Sequence, residues 1–407
     1  MLKKTIYSVI ILLGGAFLTE GFTVDESPKY SCILPVKPVE YGHFAPLVYK
    51  DNGQLASATS NAILLMNGDR VTISCDPGYF QYYPKLRSLN AKCVEGEKLE
   101  LEDGKQETWS RSFACELRVV EEVIANNLPG CSVEEGNIEG MEFGYINPIR
   151  RKSLIVGEAC YSTKEGRTIF VHAKSEPLRA EDERYLRSGP HPESRNKMDL
   201  FRALRQDSIN SRLEKKMDKN DIPLMGSKTL LTASMLNNPQ LHLMNRLTWN
   251  YAISYNHDGM HHWKDFQRGL EKITAKNHVE IWAGTSGLQS LNDISGVLFD
   301  FYLKDNKFPV PKFLWLVVKQ GDKATGFLFS NKPKDLRRSI DKEWKPCSES
   351  CSNYWWFPDF NYGPGSDPDS VHCCSVENLR QIVPEVPAIP GITKMLDYGE
   401  NVEKSMD

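Results

Sequence analysis

Four chemically reactive side chains are crowded into one short stretch of the chain, at His257, Asp258, His261 and His262. Imidazole nitrogens and carboxylates bind divalent metal ions, and histidine also acts as a general acid or base near neutral pH. The spacing of four between His257 and His261 would place both on one face of a helix. Gly259 disfavours a regular helix between them, so a solvated polar loop is the competing interpretation.

A predicted helix follows this cluster. Trp263, Phe266, Leu270 and Ile273 recur at the spacing of a helix with one buried face. The preceding stretch, residues 250–262, is polar and is interpreted as a loop that follows a short apolar strand. A polar loop delivered onto a helix by a buried strand is a suitable place for a hydrated divalent ion.

Several weak motifs occur in a fixed order around this region. Trp263 lies 13 residues after Asn250. The motif Thr229-Leu-Leu-Thr-Ala-Ser234 begins about 20 residues before Asn250. This order resembles the DNA/RNA non-specific endonucleases of the ββα-metal type, in their secreted arthropod form. The resemblance covers about residues 131–395 and implies an α+β fold with a mixed central sheet. Further supporting motifs are Ala159-Cys160-Tyr161, Trp282-Ala-Gly-Thr285, Pro309-Val-Pro-Lys-Phe313, and the cysteines at 347, 351, 373 and 374.

The resemblance also implies where catalytic side chains should stand. The family hydrolyses phosphodiesters with the histidine of an Arg-Gly-His motif, which activates water beside an Asn-bound Mg²⁺. Here that motif falls on Lys228-Thr229-Leu230, or one residue earlier, and neither alignment supplies a histidine. Thr229 or Leu230 thus replaces the base, and Gln267 replaces the glutamate that supports the metal-bound water. We expect a degenerate catalytic site with at most traces of hydrolysis.

An expected metal-ligating side chain is also missing. The metal-holding asparagine of the family falls on Gly259, which has no side chain to offer. Asn250 matches another asparagine of the family pattern and keeps a ligand oxygen. The alternative is a site rebuilt from His257 and His261, which would restore divalent-metal chemistry to the loop. We expect nucleic-acid binding to need no cofactor, with Mg²⁺ bound only through such residues.

Positive charge is concentrated in the middle of the chain. Residues 145–229 contain 18 Lys and Arg against 12 Asp and Glu, whereas residues 22–130 contain 11 against 15. This asymmetry predicts a basic surface for DNA and RNA, and a solvated helical face of mixed charge is the alternative. The resemblance places Lys228 and Arg246 beside the groove. The candidate phosphate-binding residues are Lys228, Arg246, Lys264, Arg150, Arg151, Lys152, Arg184, Arg187, Lys174, Arg195 and Lys197.

Apolar and aromatic residues nearby allow two roles. Tyr255 is a candidate for stacking on bases, whereas Trp249 lies in an apolar run and is interpreted as core. Leu200 and Phe201 belong to a spacing that predicts the packed side of short helices.

The chain ends and cysteines indicate export. A positive start and a short apolar run predict a signal peptide over residues 1–21, with a membrane anchor as the alternative. Ten cysteines then predict up to five disulfides, with zinc binding as the competing use. We divide the chain into the signal peptide, an N-terminal disulfide-rich β module (22–130) and the endonuclease-like domain with a C-terminal disulfide lobe (131–407).

Three functions are compatible with these residues. A further likeness, to nuclease-related salivary proteins of blood-feeding flies (the tsetse Tsal group), implies a secreted protein of saliva that binds DNA and RNA with little cleavage, away from membranes. The second function is an active divalent-metal-dependent endonuclease that uses the histidine loop. The third is a binder of host proteins or small ligands, for which the nuclease-like domain is only a scaffold.

Overall fold

The computed structural model of the chain describes the parts that form its sheets and cores. These are residues 30–35, 45–56, 62–76, 78–116, 121–125, 128–131, 137–149, 152–178, 199–232, 234–236, 248–255, 261–274, 277–331, 347, 351, 354 and 371–396. The segment 1–21, expected to be a signal peptide, lies outside the described residues. Sheets dominate the described ranges and few helices accompany them, as the α+β class predicts.

Short antiparallel strands build the N-terminal part of the chain. Its elements are β1 (Cys32–Pro35), β2 (Leu47–Lys50), β3 (Ala62–Leu65), β4 (Arg70–Ser74), β5 (Ser88–Glu95), β6 (Lys98–Leu101), β7 (Gln106–Thr108) and the short helix α1 (Trp109–Ser112). Five of the strands form a sheet in the order β2-β4-β5-β6-β7, and β1 pairs with β3. Disulfides Cys32–Cys93 and Cys75–Cys115 cross-link this part.

Further strands and helices follow. In chain order they are β8 (Glu121–Ala125), β9 (Ile138–Asn147), β10 (Lys152–Ser162), β11 (Arg167–Leu178), α2 (Gln206–Leu213), β12 (Met225–Thr229), β13 (Tyr251–Tyr255), α3 (His261–Thr274), β14 (Glu280–Ser286), β15 (Ser290–Asn292), β16 (Leu298–Asp300), β17 (Tyr302–Lys304), β18 (Lys307–Pro309), β19 (Phe313–Gln320), β20 (Lys323–Ser330), β21 (Val371–Cys374) and α4 (Val376–Ile382).

An eight-stranded sheet forms the centre of the molecule, in the order β21-β20-β19-β14-β11-β10-β9-β8. All of its neighbouring strands pair antiparallel, so between these eight strands the sheet lacks the parallel ladders of the expected mixed sheet. β8 lies before residue 131, so this sheet includes a strand from the segment 22–130. The predicted hairpin of residues 153–173 is confirmed as β10 and β11, and Gly166 adopts a φ of 69° in its turn.

Two helices cover opposite faces of this sheet. The four apolar residues that predicted α3 are all buried, and Phe266 contacts Phe327 and Phe329 of β20. On the other face, α4 lies against β20, where a Cβ on Gly326 would come within 2.6 Å of Leu379. The helix predicted at residues 376–382 is thereby confirmed as α4.

The hydrophobic core joins the two parts of the chain. One cluster of buried side chains runs from the N-terminal sheet to one face of the eight-stranded sheet and α3. Tyr49 and Tyr145 meet in it with ring centroids 6.1 Å apart, and Asn147 Nδ2 donates to Gly53 O at 2.6 Å. A separate cluster packs α2 against β13 through Ile209 and Ile253.

All ten cysteines form disulfides, which confirms the predicted use of these residues and excludes zinc ligation by them. Each pair joins cysteines of the same group along the chain: besides the two N-terminal pairs these are Cys131–Cys160, Cys347–Cys374 and Cys351–Cys373. Within the described ranges, no helix combines the length and the hydropathy that crossing a bilayer requires.

Candidate nucleic-acid interface

The candidate site is built from two antiparallel strands and a helix. β12 and β13 pair with Thr229 opposite Tyr251 and Lys228 opposite Ala252. α3 follows and is fixed to the end of β12 by two side-chain hydrogen bonds. Trp263 Nε1 and Gln267 Nε2 both donate to Thr229 O, each at 3.2 Å.

Gln267 therefore acts as a tether between α3 and β12. An amide nitrogen donates to the carbonyl, whereas a carboxylate at this position would present lone pairs to an acceptor. Of the two residues that align with the base, Leu230 is fully buried and its backbone N donates to Asn250 O at 2.9 Å. Neither the Thr229 hydroxyl nor the Leu230 side chain accepts a proton readily near neutral pH.

Asn250 is a structural clamp. Its side chain is fully buried, Nδ2 donates to Leu231 O at 2.6 Å, and Oδ1 accepts from Leu231 N at 2.8 Å. Both ends of the amide are thus used by one backbone residue. This geometry disagrees with the expected role of Asn250 as a metal ligand, because its oxygen faces the chain inside the core.

Threonines fix the hairpin to the central sheet. Thr285 Oγ1 donates to Thr168 O at 2.6 Å, and Thr168 Oγ1 donates to Trp249 O at 2.6 Å. Trp249 is buried, as predicted, with its ring centroid 4.4 Å from that of Phe143. These contacts hold the start of β13 in place. They also give a structural role to Thr285, the last residue of the Trp282-Ala-Gly-Thr285 motif.

Asn331 supports the other end of β13. Its Nδ2 donates to Ile253 O at 3.1 Å and to Pro311 O at 2.8 Å, and the side chain is buried. Nothing in the spacing of the sequence indicates this role, since Asn331 lies 78 residues from Ile253.

The expected polar loop at residues 250–262 is wrong over residues 251–255, which form β13. Asn250, the polar residue that precedes this strand, is buried and bonds to the backbone of Leu231. Tyr255 is also wrong as a base-stacking residue, because it is only 1% exposed and lies in the core that includes Met225 and Phe301. Burial raises the pKa of the Tyr255 hydroxyl.

The structure locates only part of the predicted binding set. Lys228 lies on β12, next to the Thr229 carbonyl that receives α3. Lys152 lies in β10, and Lys264 and His261 lie in α3, with their backbone alone described. Within the described residues, no group of three His, Cys, Asp or Glu side chains is arranged to hold a metal ion. Of the other predicted site residues, Arg150, Arg151, Arg184, Arg187, Arg195, Lys197, Arg246 and His257 lie outside the described residues.

Exposed cations that the sequence reasoning missed lie beside the hairpin. Arg202 and Arg205 are exposed in a segment whose Leu200 and Ala203 are buried in the same core as Ile253. Both arginines lie within residues 145–229, where Lys and Arg outnumber Asp and Glu. Sequence alone could not select them, because only the packing of this segment places them near β13.

Phe201 was also predicted wrongly. It was expected on the packed side of a short helix, yet its side chain is 42% exposed. Its ring meets the ring of Tyr251 edge to face, with centroids 6.1 Å apart and an angle of 73° between the planes. Phe201 therefore belongs to the surface of the candidate site.

A second polar cluster lies on the eight-stranded sheet. His172 stacks on Trp282 with ring centroids 4.1 Å apart, and its Nδ1 lies 3.3 Å from Glu158 Oε2. Glu280 lies 3.6 Å from His172 Nε2 and accepts from Lys319 Nζ at 2.9 Å. The nearby His172 ring, followed by the lysine ammonium groups, lowers the pKa of Glu280 to about 2. These contacts link neighbouring strands, so we assign the cluster a structural role.

Comparisons with known proteins give limited likeness. No family model matches the chain, and no curated protein matches it. Among solved structures, the chain is similar to a chain from the crystal structure of the EndoG/EndoGI complex, which concerns the mechanism of EndoG inhibition. The identity is 13%, the match covers 44% of this chain and 72% of that one, and the TM-score is 0.26. A likeness at this TM-score carries no argument about function.

Proposed function

We propose that this chain is a secreted protein that binds DNA and RNA without sequence preference, on a ββα-metal nuclease scaffold with little or no hydrolytic activity. The observation that carries the proposal is the double hydrogen bond from Trp263 and Gln267 to the Thr229 carbonyl. These bonds join β12 to α3, the two elements that the resemblance aligns with such a scaffold, and they use Gln267, aligned with a supporting glutamate, as a tether.

Hydrolysis would need groups that the described site does not offer. General base catalysis contributes roughly 10²–10⁴-fold to such a reaction, and a divalent ion offsets charge on the phosphate. Thr229, Leu230 and Gln267 supply neither a base nor an anionic ligand. Asn250 does not fit a Mg²⁺ site, since both ends of its amide bond to Leu231.

Binding has different requirements. Attraction to a polynucleotide comes from dispersed lysines and arginines that replace counterions along the phosphates, and it needs neither a base nor a metal. We assign this role to Lys228 and the exposed Arg202 and Arg205, together with the predicted cations Arg246 and Lys264. The paired cysteines support an oxidising, extracellular location. Saliva, as the likeness to the fly proteins implies, is part of this proposal.

A salt titration tests the proposal. Gel shifts with duplex DNA and with RNA, in EDTA, should give an affinity whose logarithm falls linearly with the logarithm of salt concentration. The Arg202→Gln, Arg205→Gln double variant should lower the salt slope by about 2, because two phosphate contacts are lost. Lys85→Gln, an exposed cation of the N-terminal sheet region, is the matched control and should leave the slope unchanged. Failure of the wild-type protein to shift either polymer at low salt would refute the proposal.

A further inference from the structure

Phe201 is an exposed residue between two buried ones. Its neighbours Leu200 and Ala203 are 5% and 4% exposed, whereas Phe201 itself is 42% exposed. Phe201 and Tyr251 meet edge to face with ring centroids 6.1 Å apart. We call this pair the aromatic corner. A flat ligand that lies on the face of Phe201 would meet the edge of a second ring at the same time.

The aromatic corner lies beside Thr229 of the proposed site. Tyr251 is the cross-strand partner of Thr229, so their side chains lie on the same face of the hairpin. Thr229 is one of the two residues that align with the catalytic histidine of the family. A polynucleotide strand seated at the aligned position would therefore pass beside the corner.

Charge around the corner suits a polyanion. Arg202 follows Phe201 directly, Arg205 lies one turn further along, and both are exposed. Exposed aromatic rings among cations are the combination by which proteins bind single-stranded nucleic acids, since every base has a face that can stack. In a duplex both faces of each base are covered by neighbouring bases, so only an unstacked base can occupy the corner.

We propose that Phe201 and Tyr251 form a base-stacking corner that gives the protein an additional affinity for single-stranded nucleic acid. This inference rests on the proposed nucleic-acid function and assigns it a strand preference. An apolar contact with a protein partner is the other use of an exposed phenylalanine, and the experiment below separates the two.

The test compares four variants on two probes. The probes are an oligothymidine of about 16 nucleotides and a duplex of the same length, both fluorescently labelled and titrated with full-length protein. Phe201→Ala removes the ring, Phe201→Leu keeps apolar volume without a ring, and Phe201→Trp enlarges the stacking face. Tyr82→Ala is the matched control, because Tyr82 is 62% exposed in the N-terminal part of the chain. Thermal unfolding of each variant verifies that it is folded.

The corner predicts a specific pattern. Phe201→Ala and Phe201→Leu should each weaken binding of the oligothymidine by about 5- to 100-fold, while duplex affinity changes by less than about 2-fold. Phe201→Trp and Tyr82→Ala should bind the oligothymidine at least as well as the wild type.

Other results would overturn the inference. If the wild type binds both probes and Phe201→Ala has no effect, or weakens both equally, the corner does not stack on bases. Wild-type binding of the duplex alone would also refute the inference but leave the proposed function intact. If the wild type binds neither probe, the proposed function fails and the inference fails with it.

Discussion

Two polar side chains of the candidate site form hydrogen bonds with backbone groups. Asn250 and Gln267 are of types that ligate metals or position water, and the sequence placed both at functional positions. In the structure each bonds to a main-chain group of the β12 region. Their locations could be predicted from spacing, but their partners could not, because the direction of a hydrogen bond depends on how distant elements pack.

The clamp role of Asn250 predicts a loss of stability on its removal. Asn250→Ala should lower the free energy of unfolding by about 2–4 kcal/mol, because the Leu231 N–H and C=O are left buried without partners. Urea denaturation measures this. Asn52→Ala, at an exposed asparagine, is the control and should cost less than about 1 kcal/mol.

Asn250→Asp distinguishes the clamp from a metal ligand. Aspartate binds Mg²⁺ well but cannot donate to Leu231 O, and it places a charge in the core. The clamp predicts a loss at least as large as that of Asn250→Ala, with no recovery on adding Mg²⁺. Recovery of stability by Mg²⁺ would show that Asn250 ligates the ion instead.

Glu280 predicts an acid-sensitive contribution to stability. Its folded-state pKa is lowered to about 2, so its contribution is complete above pH 4.5 and is lost as the pH falls toward 2. Glu280→Gln should reduce the unfolding free energy by about 1–2 kcal/mol at neutral pH and should flatten the decline between these pH values. Denaturation curves over the acid range test this, with the exposed Glu116→Gln as control. Parallel pH profiles of wild type and Glu280→Gln would contradict it.

At the scale of elements, apolar periodicity was a better guide than polarity. The spacing of Trp263, Phe266 and Leu270 predicted α3, because a helix needs one apolar face to pack. The polar side chains of residues 250–262 predicted a loop, whereas residues 251–255 form the strand β13. Buried polar groups were interpreted as solvated ones, because their hydrogen-bond partners are distant in sequence. Asn250 bonds to Leu231, 19 residues away, and Ile253 O accepts from Asn331, 78 residues away.

Gln267 predicts how α3 depends on its tether. Gln267→Glu should lower the unfolding free energy by about 1 kcal/mol at neutral pH, because a carboxylate cannot donate to Thr229 O. Near pH 4 protonation restores a donor, so part of the loss should be regained. Gln267→Met, which lacks the donor at every pH, is the matched control. A Gln267→Glu protein as stable as wild type at neutral pH would argue against the tether.

For the whole molecule, the cysteine count predicted up to five disulfides but not which cysteines pair. The grouping of cysteines along the chain matches the five pairs, because cysteines near in sequence are brought together within one part of the fold. The order of the eight-stranded sheet could not be predicted, since β14 lies beside β11 only after a long excursion through the hairpin and α3. The same excursion brings Phe201 to Tyr251.

One side-by-side assay tests the central claim most directly. Purified protein is incubated with supercoiled plasmid and with RNA, in EDTA and in Mg²⁺, and each mixture is divided between a gel shift and a nicking gel. Our account predicts equal shifts in both conditions, with plasmid and RNA left intact. Efficient Mg²⁺-dependent degradation, or the absence of any shift at low salt, would contradict it.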